Sequence, residues 1–212
     1  MKDIAELVDG YRRFLKSRYS EQAEVYRSLA ETGQSPSTMV IACCDSRVDP
    51  ATIFNSGPGQ LFVLRNVANL VPPYEARADH HGTGAALEFA VGGLQVSNIL
   101  VMGHGRCGGV QAYLQGVYER PAQSSFIDRW MKLLDPAWDK VSGEAANFSP
   151  ETQLRTLEHA SVRNSIENLK TFPFVQERVA QGSLLLHGAY FDISDGKLMS
   201  LDPQSGRFEP VS

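Results

Sequence analysis

The sequence predicts an α/β domain around a central, mostly parallel β-sheet flanked by helices, and three observations carry that prediction. Short, continuously apolar runs recur at residues 38–42, 61–64, 99–102 and 184–186. Unbroken apolarity, as opposed to alternation, marks strands covered on both faces. Stretches of helical period lie between these runs, and strands alternating with helices favour parallel pairing through crossovers. The third observation is size: 212 residues, 42% hydrophobic and 21% charged, suit one domain with a substantial core.

Residues 3–30 have helical period. Ile4, Leu7, Val8, Tyr11, Phe14 and Leu15 form one stripe, with Asp9, Arg13 and Lys16 opposite. The stripe reads as a surface helix docked on its own domain, with an arm packed on a partner subunit as the alternative. Thr32-Gly33-Gln34-Ser35-Pro36 breaks the helix and sets residues 1–32 apart from the first strand. Residues 83–94 are apolar nearly all round, as a buried helix would be. Residues 108–117 and 152–170 predict two further helices; in the second, Leu154, Leu157, Val162, Ile166 and Leu169 keep roughly helical spacing. Ser125 with Asp128 resembles a capping box, opening a helix that Asp135-Pro136 ends. Residues 139–150 are polar and read as a loop. There is no internal repeat or linker, so residues 1–212 are read as a single domain.

Charge and cysteine content narrow the function. Twenty basic against 24 acidic residues give a net charge of −4, with no strong attraction for nucleic acid or an anionic membrane. No apolar run approaches the ~20 residues of a membrane span. Asp3, Glu6 and Asp9 interrupt any secretory core, so a cytoplasmic location is expected. Three cysteines, Cys43, Cys44 and Cys107, do not make a disulfide scaffold. In a reducing compartment they are buried apolar residues, metal ligands or nucleophiles.

Two segments carry the chemistry. Cys43-Cys44-Asp45-Ser46-Arg47 follows the first apolar run, and Gly103-His104-Gly105-Arg106-Cys107-Gly108-Gly109 follows the third. Both lie at carboxyl ends of predicted parallel strands, where open α/β sheets bind ligands. If the two strands are neighbours, Cys43, His104 and Cys107 converge. Two thiolates and an imidazole suit Zn²⁺ and leave one tetrahedral position open. A helix beginning after Cys107 would favour its thiolate. The glycine-rich turn could instead hold a phosphate, although no Gly-Lys-Ser/Thr follows it. Arg47 can grip Asp45 through two parallel hydrogen bonds, which keeps the carboxylate ionised and fixed in direction. An Asp so held can accept a hydrogen bond from a zinc-bound hydroxide and aim it. An ordinary salt bridge capping a turn is the plainer alternative.

These two segments resemble those of the β-class carbonic anhydrases. Phe62-Val-Leu-Arg65-Asn66-Val67-Ala-Asn69-Leu-Val-Pro-Pro-Tyr74, Gly82-Thr-Gly-Ala-Ala-Leu-Glu88-Phe89 and His187-Gly-Ala-Tyr-Phe-Asp192 extend the resemblance over most of residues 33–202. It implies zinc-dependent, reversible hydration of CO₂ to bicarbonate and a proton through a zinc-bound hydroxide. One Zn²⁺ per subunit would be held by Cys43, His104 and Cys107, with Asp45 and Arg47 as the catalytic dyad. It further implies substrate contacts from Gln34, Phe62, Val67, Phe89 and the Gly108 backbone. The minimal unit would be a homodimer, with tetramers or octamers possible. In such a dimer Gln34, Phe62 and Phe89 complete the pocket across the interface, and residues 1–32 form an arm that embraces the partner. Phe89 stands where plant-type members often carry Tyr, so a hydroxyl contact is lost. Val40 and Phe191 replace the Trp and Tyr of bicarbonate-regulated members, which places the sequence with the plant-type, non-regulated group. Cys44 is expected to be a buried spectator, and Arg106 to add positive potential. His80 and His81 are candidate proton relays, and His159 and His187 are expected to be structural. Relatives on this fold that hydrolyse carbon disulfide or carbonyl sulfide are the alternative within the same zinc chemistry.

Overall fold

In a computed structural model, residues 3–76, 81–117 and 126–211 are described. Six strands form one sheet in the order β2-β1-β3-β4-β5-β6. They are β1 (Thr38–Cys43), β2 (Leu61–Asn66), β3 (Asn98–His104), β4 (Leu185–Asp192), β5 (Lys197–Leu201) and β6 (Phe208–Pro210). The first four in that order pair in parallel, and β5 and β6 add an antiparallel flank. The four apolar runs supply the parallel strands, as their unbroken hydrophobicity predicts. β1 shows why: Met39, Val40, Ile41 and Ala42 are all fully buried, two side chains to each face. The fourth run only opens its strand, because Gly188 and Ala189 carry the backbone on past the apolar stretch. The flank was not legible, since a three-residue β6 and a half-exposed β5 show no run to detect.

The helices are α1 (Ile4–Lys16), α2 (Arg18–Thr32), α3 (Pro50–Ile53), α4 (Gly82–Glu88), α5 (Gly108–Leu114), α6 (Phe126–Met131), α7 (Asp135–Ala145), α8 (Pro150–Leu169) and α9 (Pro173–Ala180). Residues 3–30 are two helices and not one. Asp3 caps α1 by accepting the Glu6 N–H at 2.9 Å, and the chain turns at Ser17 (φ −119°, ψ −97°). Phe14, Tyr19 and Tyr26 then pack the two helices against each other, with centroids 5.1–6.2 Å apart. Helix α4 continues into a π turn over Phe89–Gly93. Asp135-Pro136 begins α7 instead of ending a helix, because proline is well placed in a first turn, where its missing N–H is not needed. α7 also takes up 139–145 of the expected loop; Ala137 and Ala145 are the small residues that let it pack. The capping-box Ser125 lies outside the described residues.

One core lies on the sheet face bearing Met39, Ile41, Ile99 and Val101, covered by α4, the distal half of α8 and α9. A second gathers at the carboxyl ends of the strands, where Val48, Leu70, Val110, Met131, Leu134 and Leu157 surround Cys43 and Cys107. The apolar stripe of α1 joins neither: no α1 residue is buried, and Ile4 and Tyr11 are 75% and 58% exposed. Among the described residues no helix is long and apolar enough to cross a membrane.

Candidate metal centre

Cys43 closes β1 and His104 closes β3, and the two strands pair directly with Ala42 opposite Met102. The chain runs from β1 to β2 on one side and then to β3 on the other, so strand order reverses between β1 and β3. That is the switch point at which open parallel sheets present ligand sites. A tight turn, with Arg106 at φ 56°, carries the chain from His104 to Cys107, the N-cap residue of α5. The donor atoms of Cys43, His104 and Cys107 all lie within 4.8 Å of one another, and all three residues are buried. The adjacency inferred from two separate motifs is therefore met.

The donor chemistry fits a divalent cation. His104 Nδ1 lies 2.9 Å from the Gly105 carbonyl, an obligate acceptor, so Nδ1 carries the proton and Nε2 presents a lone pair. Nε2 is buried and has no hydrogen-bond partner. A metal ligand orients its imidazole in this way. The two cysteine sulfurs act on each other. The Cys107 thiol, donating to Cys43, holds the Cys43 thiol well below the usual cysteine range, against the opposing effect of burial. Cys107 is pushed up by donating that bond and by its own burial. A divalent cation would take the place of the proton in that bond. The Ala68 N–H also reaches Cys43 Sγ, at 3.4 Å.

Asp45 and Arg47 form the expected fork. Arg47 Nε donates to Asp45 Oδ1 at 2.9 Å, Nη2 to Oδ2 at 2.7 Å, and the Arg47 backbone N–H to Oδ1 at 3.0 Å. These bonds hold the carboxyl well below the usual carboxylate range. Arg47 Nη2 also donates to the Arg106 carbonyl at 3.1 Å, which ties the two chemical segments together. Arg65 clamps the first segment from β2, donating to the Cys43 carbonyl at 2.8 Å and the Asp45 carbonyl at 2.6 Å.

The substrate-pocket candidates divide by position. Gly108 opens α5 and lines a cleft of about 660 Å³ with Arg47, Arg106 and Gln111. Val67 packs over the same helix start: a Cβ on Gly109 would lie 3.2 Å from it. Gln34, Phe62 and Phe89 are not brought to the metal cluster of their own chain. Phe62 pairs with Met39, near the start of β1, whereas Cys43 pairs with Asn66. At ~3.3 Å per residue that is roughly 13 Å along the strand. Phe62 stacks on Phe89 with centroids 5.8 Å apart, and Phe89 stays 52% exposed. Gln34 is exposed in the link before β1.

Other histidines and cysteines settle into plainer roles. Cys44 is exposed, not the expected buried spectator, because side chains alternate at the strand end and Cys43 takes the inward position. His81 caps α4, its Nδ1 accepting the Gly84 N–H at 2.9 Å, while His80 lies outside the described residues. His187 Nε2 meets Asn98 Oδ1 at 3.0 Å across β3 and β4. His159 packs between Tyr190 and Phe208, each centroid 4.3 Å away.

Sequence reasoning missed Glu158. It lies on α8, 3% exposed, and accepts the Cys107 N–H at 2.8 Å and the Tyr190 hydroxyl at 2.8 Å. Burial pushes its carboxyl up to about 6, against the lowering effect of those two bonds. The signal was present: Glu158 adjoins Leu157 and precedes Val162 by four, so an acidic residue sits on the buried stripe of its helix.

An α/β sheet carrying two cysteines and a histidine at its switch point, beside a forked Asp–Arg pair, defines a metalloprotein of the Cys₂His type. The carbonic anhydrase family model matches residues 38–198, and the chain belongs to the β-carbonic anhydrase family. It is 43% identical to β carbonic anhydrase 5, chloroplastic, of Arabidopsis thaliana over 182 residues, which is 86% of this chain and 59% of that relative's length. The solved structure of the β-carbonic anhydrase CcaA superposes with a TM-score of 0.91 at 29% identity, covering 99% of this chain and 92% of that one. A tetrameric β-carbonic anhydrase from Sordaria macrospora superposes with a TM-score of 0.78 at 27% identity, covering 92% of this chain and 94% of that one.

Proposed function

We propose that this protein is a zinc enzyme that interconverts CO₂ and bicarbonate. The observation that carries the reading is the buried Cys43–His104–Cys107 cluster, with its unpartnered His104 Nε2, at the side of a forked Asp45–Arg47 pair. Zinc held by these three residues supplies Lewis acidity, lowering the pKa of a water from 15.7 toward about 7.

The side chains divide the remaining work. Three Arg47 donors fix the Asp45 carboxylate, which stays ionised at any working pH and so can accept a hydrogen bond from an O–H but cannot donate one. That one-way polarity turns a reacting water's lone pair toward substrate. Arg47 is itself bonded to the Arg106 carbonyl, so the acceptor is registered against the loop that bears His104 and Cys107. CO₂ is uncharged and apolar and needs an apolar wall near this acceptor. Val67 offers part of one.

Phe62, Phe89 and Gln34 supply the rest from a second copy of the chain. Phe62 lies four strand positions from the level of Cys43, and Phe89, stacked on it, is half exposed. The uncovered stripe of α1 is the surface by which such copies would hold each other. A homodimer is then the smallest complete unit, and the tetrameric Sordaria relative supports assembly of this kind.

Stopped-flow measurement of CO₂ hydration by the zinc-loaded protein over about pH 6.5–9 tests the reading. Hydration well above the buffer rate that rises with pH is expected. A rate equal to the buffer blank across that range, with one zinc bound per chain, would overturn it.

A further inference from the structure

We infer that Glu158 is the positioning residue of the Cys107 ligand. The inference rests on the metal reading of Cys43, His104 and Cys107, and not on the identity of the substrate.

The ligand loop packs closely on α8 and β4 at two glycines. A Cβ on Gly103 would lie 2.6 Å from Val162 of α8, and one on Gly105 would lie 3.0 Å from the Tyr190 hydroxyl of β4. Two hydrogen bonds fix the loop on that bed. The Gly105 N–H donates to the Phe191 carbonyl at 2.9 Å, and the Cys107 N–H donates to Glu158 Oε1 at 2.8 Å. The second comes from the ligand residue itself, whose backbone nitrogen is three bonds from the Sγ that joins Cys43 and His104 in the cluster.

The carboxylate is held as firmly as the group it holds. Tyr190 donates to Oε2 at 2.8 Å, and its ring is gripped edge-on by His159 at 4.3 Å. Both oxygens of Glu158 therefore accept, one from an N–H that has no other role. Remove that acceptor and the Cys107 N–H is buried without a partner, a condition costly enough for the backbone to turn and seek another. Because α5 starts at Gly108, such a turn rotates the thiolate out of line with Cys43 and His104.

A glutamic acid on the buried stripe of a long helix is an expensive placement. Its buried neighbours on α8 carry no charge: Leu157, Val162 and Ile166 are hydrocarbon, and Ser161 and Ser165 are small and neutral. The Cys107 N–H and the Tyr190 hydroxyl are what it serves.

The test uses the full chain with three variants. Glu158→Met keeps length and apolar volume but offers no oxygen. Glu158→Gln keeps an oxygen for the Cys107 N–H, while its amide donates to the Tyr190 oxygen. Tyr190→Phe frees one end of the carboxylate. Zinc affinity is read by competition with a chromophoric chelator, and thiolate geometry by the sulfur-to-cobalt charge-transfer band of the cobalt-loaded protein. Circular dichroism checks the fold. Glu158→Met should bind zinc about 10–100-fold more weakly with a shifted band, and Glu158→Gln should stay within about threefold of the parent. Parent-like affinity and band in Glu158→Met would overturn the assignment, as would a loss in Glu158→Gln equal to that in Glu158→Met. If Glu158→Met does not fold, Tyr190→Phe decides: a shifted band with a severalfold loss of affinity supports the role, and no change in either refutes it. A protein that shows these metal effects but never hydrates CO₂ fails the proposed function and not this assignment.

Discussion

The two ends of β1 differ in completeness. At the carboxyl end Cys43 is joined by His104 and Cys107, all buried, with Asp45, Arg47, Arg65 and Glu158 tied in by hydrogen bonds of 2.6–3.1 Å. At the amino end Gln34, Phe62 and Phe89 sit half-open or exposed, and among the described residues the apolar stripe of α1 meets α2 through Phe14 and leaves Ile4, Leu7 and Tyr11 open. One end is finished within a single chain, and the other leaves Phe89 and the α1 side chains open to solvent, as the proposed second copy would require. On the proposed dimer, a residue would belong to the reaction without lying near the metal ligands of its own chain.

The largest expected effect falls on the finished end. Replacing a ligand, as in Cys107→Ser or His104→Gln, should abolish stoichiometric zinc and bring CO₂ hydration down to the buffer rate. Retained zinc with undiminished turnover would remove that residue from the ligand set. Asp45→Asn comes next. It keeps the shape but turns one acceptor oxygen into a donor, and hydration should fall about 10–100-fold with zinc content unchanged. A parent-like rate there would reduce the Asp45–Arg47 fork to a structural salt bridge.

The unfinished end should respond to distance and not to chemistry. Leu7→Glu with Tyr11→Glu places two charges on the exposed stripe of α1, far in sequence from every ligand. Sedimentation should show smaller assemblies, and activity should drop about tenfold as the wall provided by Phe62 and Phe89 leaves the partner's site, while zinc content holds. An unchanged sedimentation coefficient would return α1 to the status of a solvent-facing helix.

How much of this was readable in advance depended on whether the signal was local. β1 and β3 show in the sequence as unbroken apolarity, and the ligand segments as two cysteines and a histidine at strand ends, where the resemblance chooses among several readings of those residues. Cys44 was misplaced because burial at a strand terminus depends on which of two successive side chains points inward, and composition does not state that. Asp135-Pro136 was misread because proline ends one helix and starts another by the same loss of an N–H. Glu158 was missed because its meaning lies in Cys107, 51 positions away in sequence, and periodicity reports only neighbours on the same helix.

The smallest expected effect belongs to neither end. His159, buried against Tyr190 and Phe208, has its pKa pushed down to about 4 by burial, with Arg163 and Arg155 adding repulsion. In the unfolded chain it titrates near about 6.5, so the unfolded state binds the proton first and stability falls as pH drops from about 6.5 toward 4. His159→Leu should flatten that slope relative to the parent, by up to an amount on the order of 3 kcal/mol at the acid end of urea-melt measurements. Parallel slopes in the two proteins would contradict the placement of a neutral imidazole there.

X-ray absorption at the zinc edge of the loaded protein tests the ligand set most directly. Two sulfur scatterers at about 2.3 Å, one imidazole nitrogen at about 2.0–2.1 Å and one further light atom not supplied by an imidazole are the expected shell. A shell with a single sulfur, with three or more, or with a second imidazole would contradict a centre built from Cys43, His104 and Cys107 with one position left to solvent.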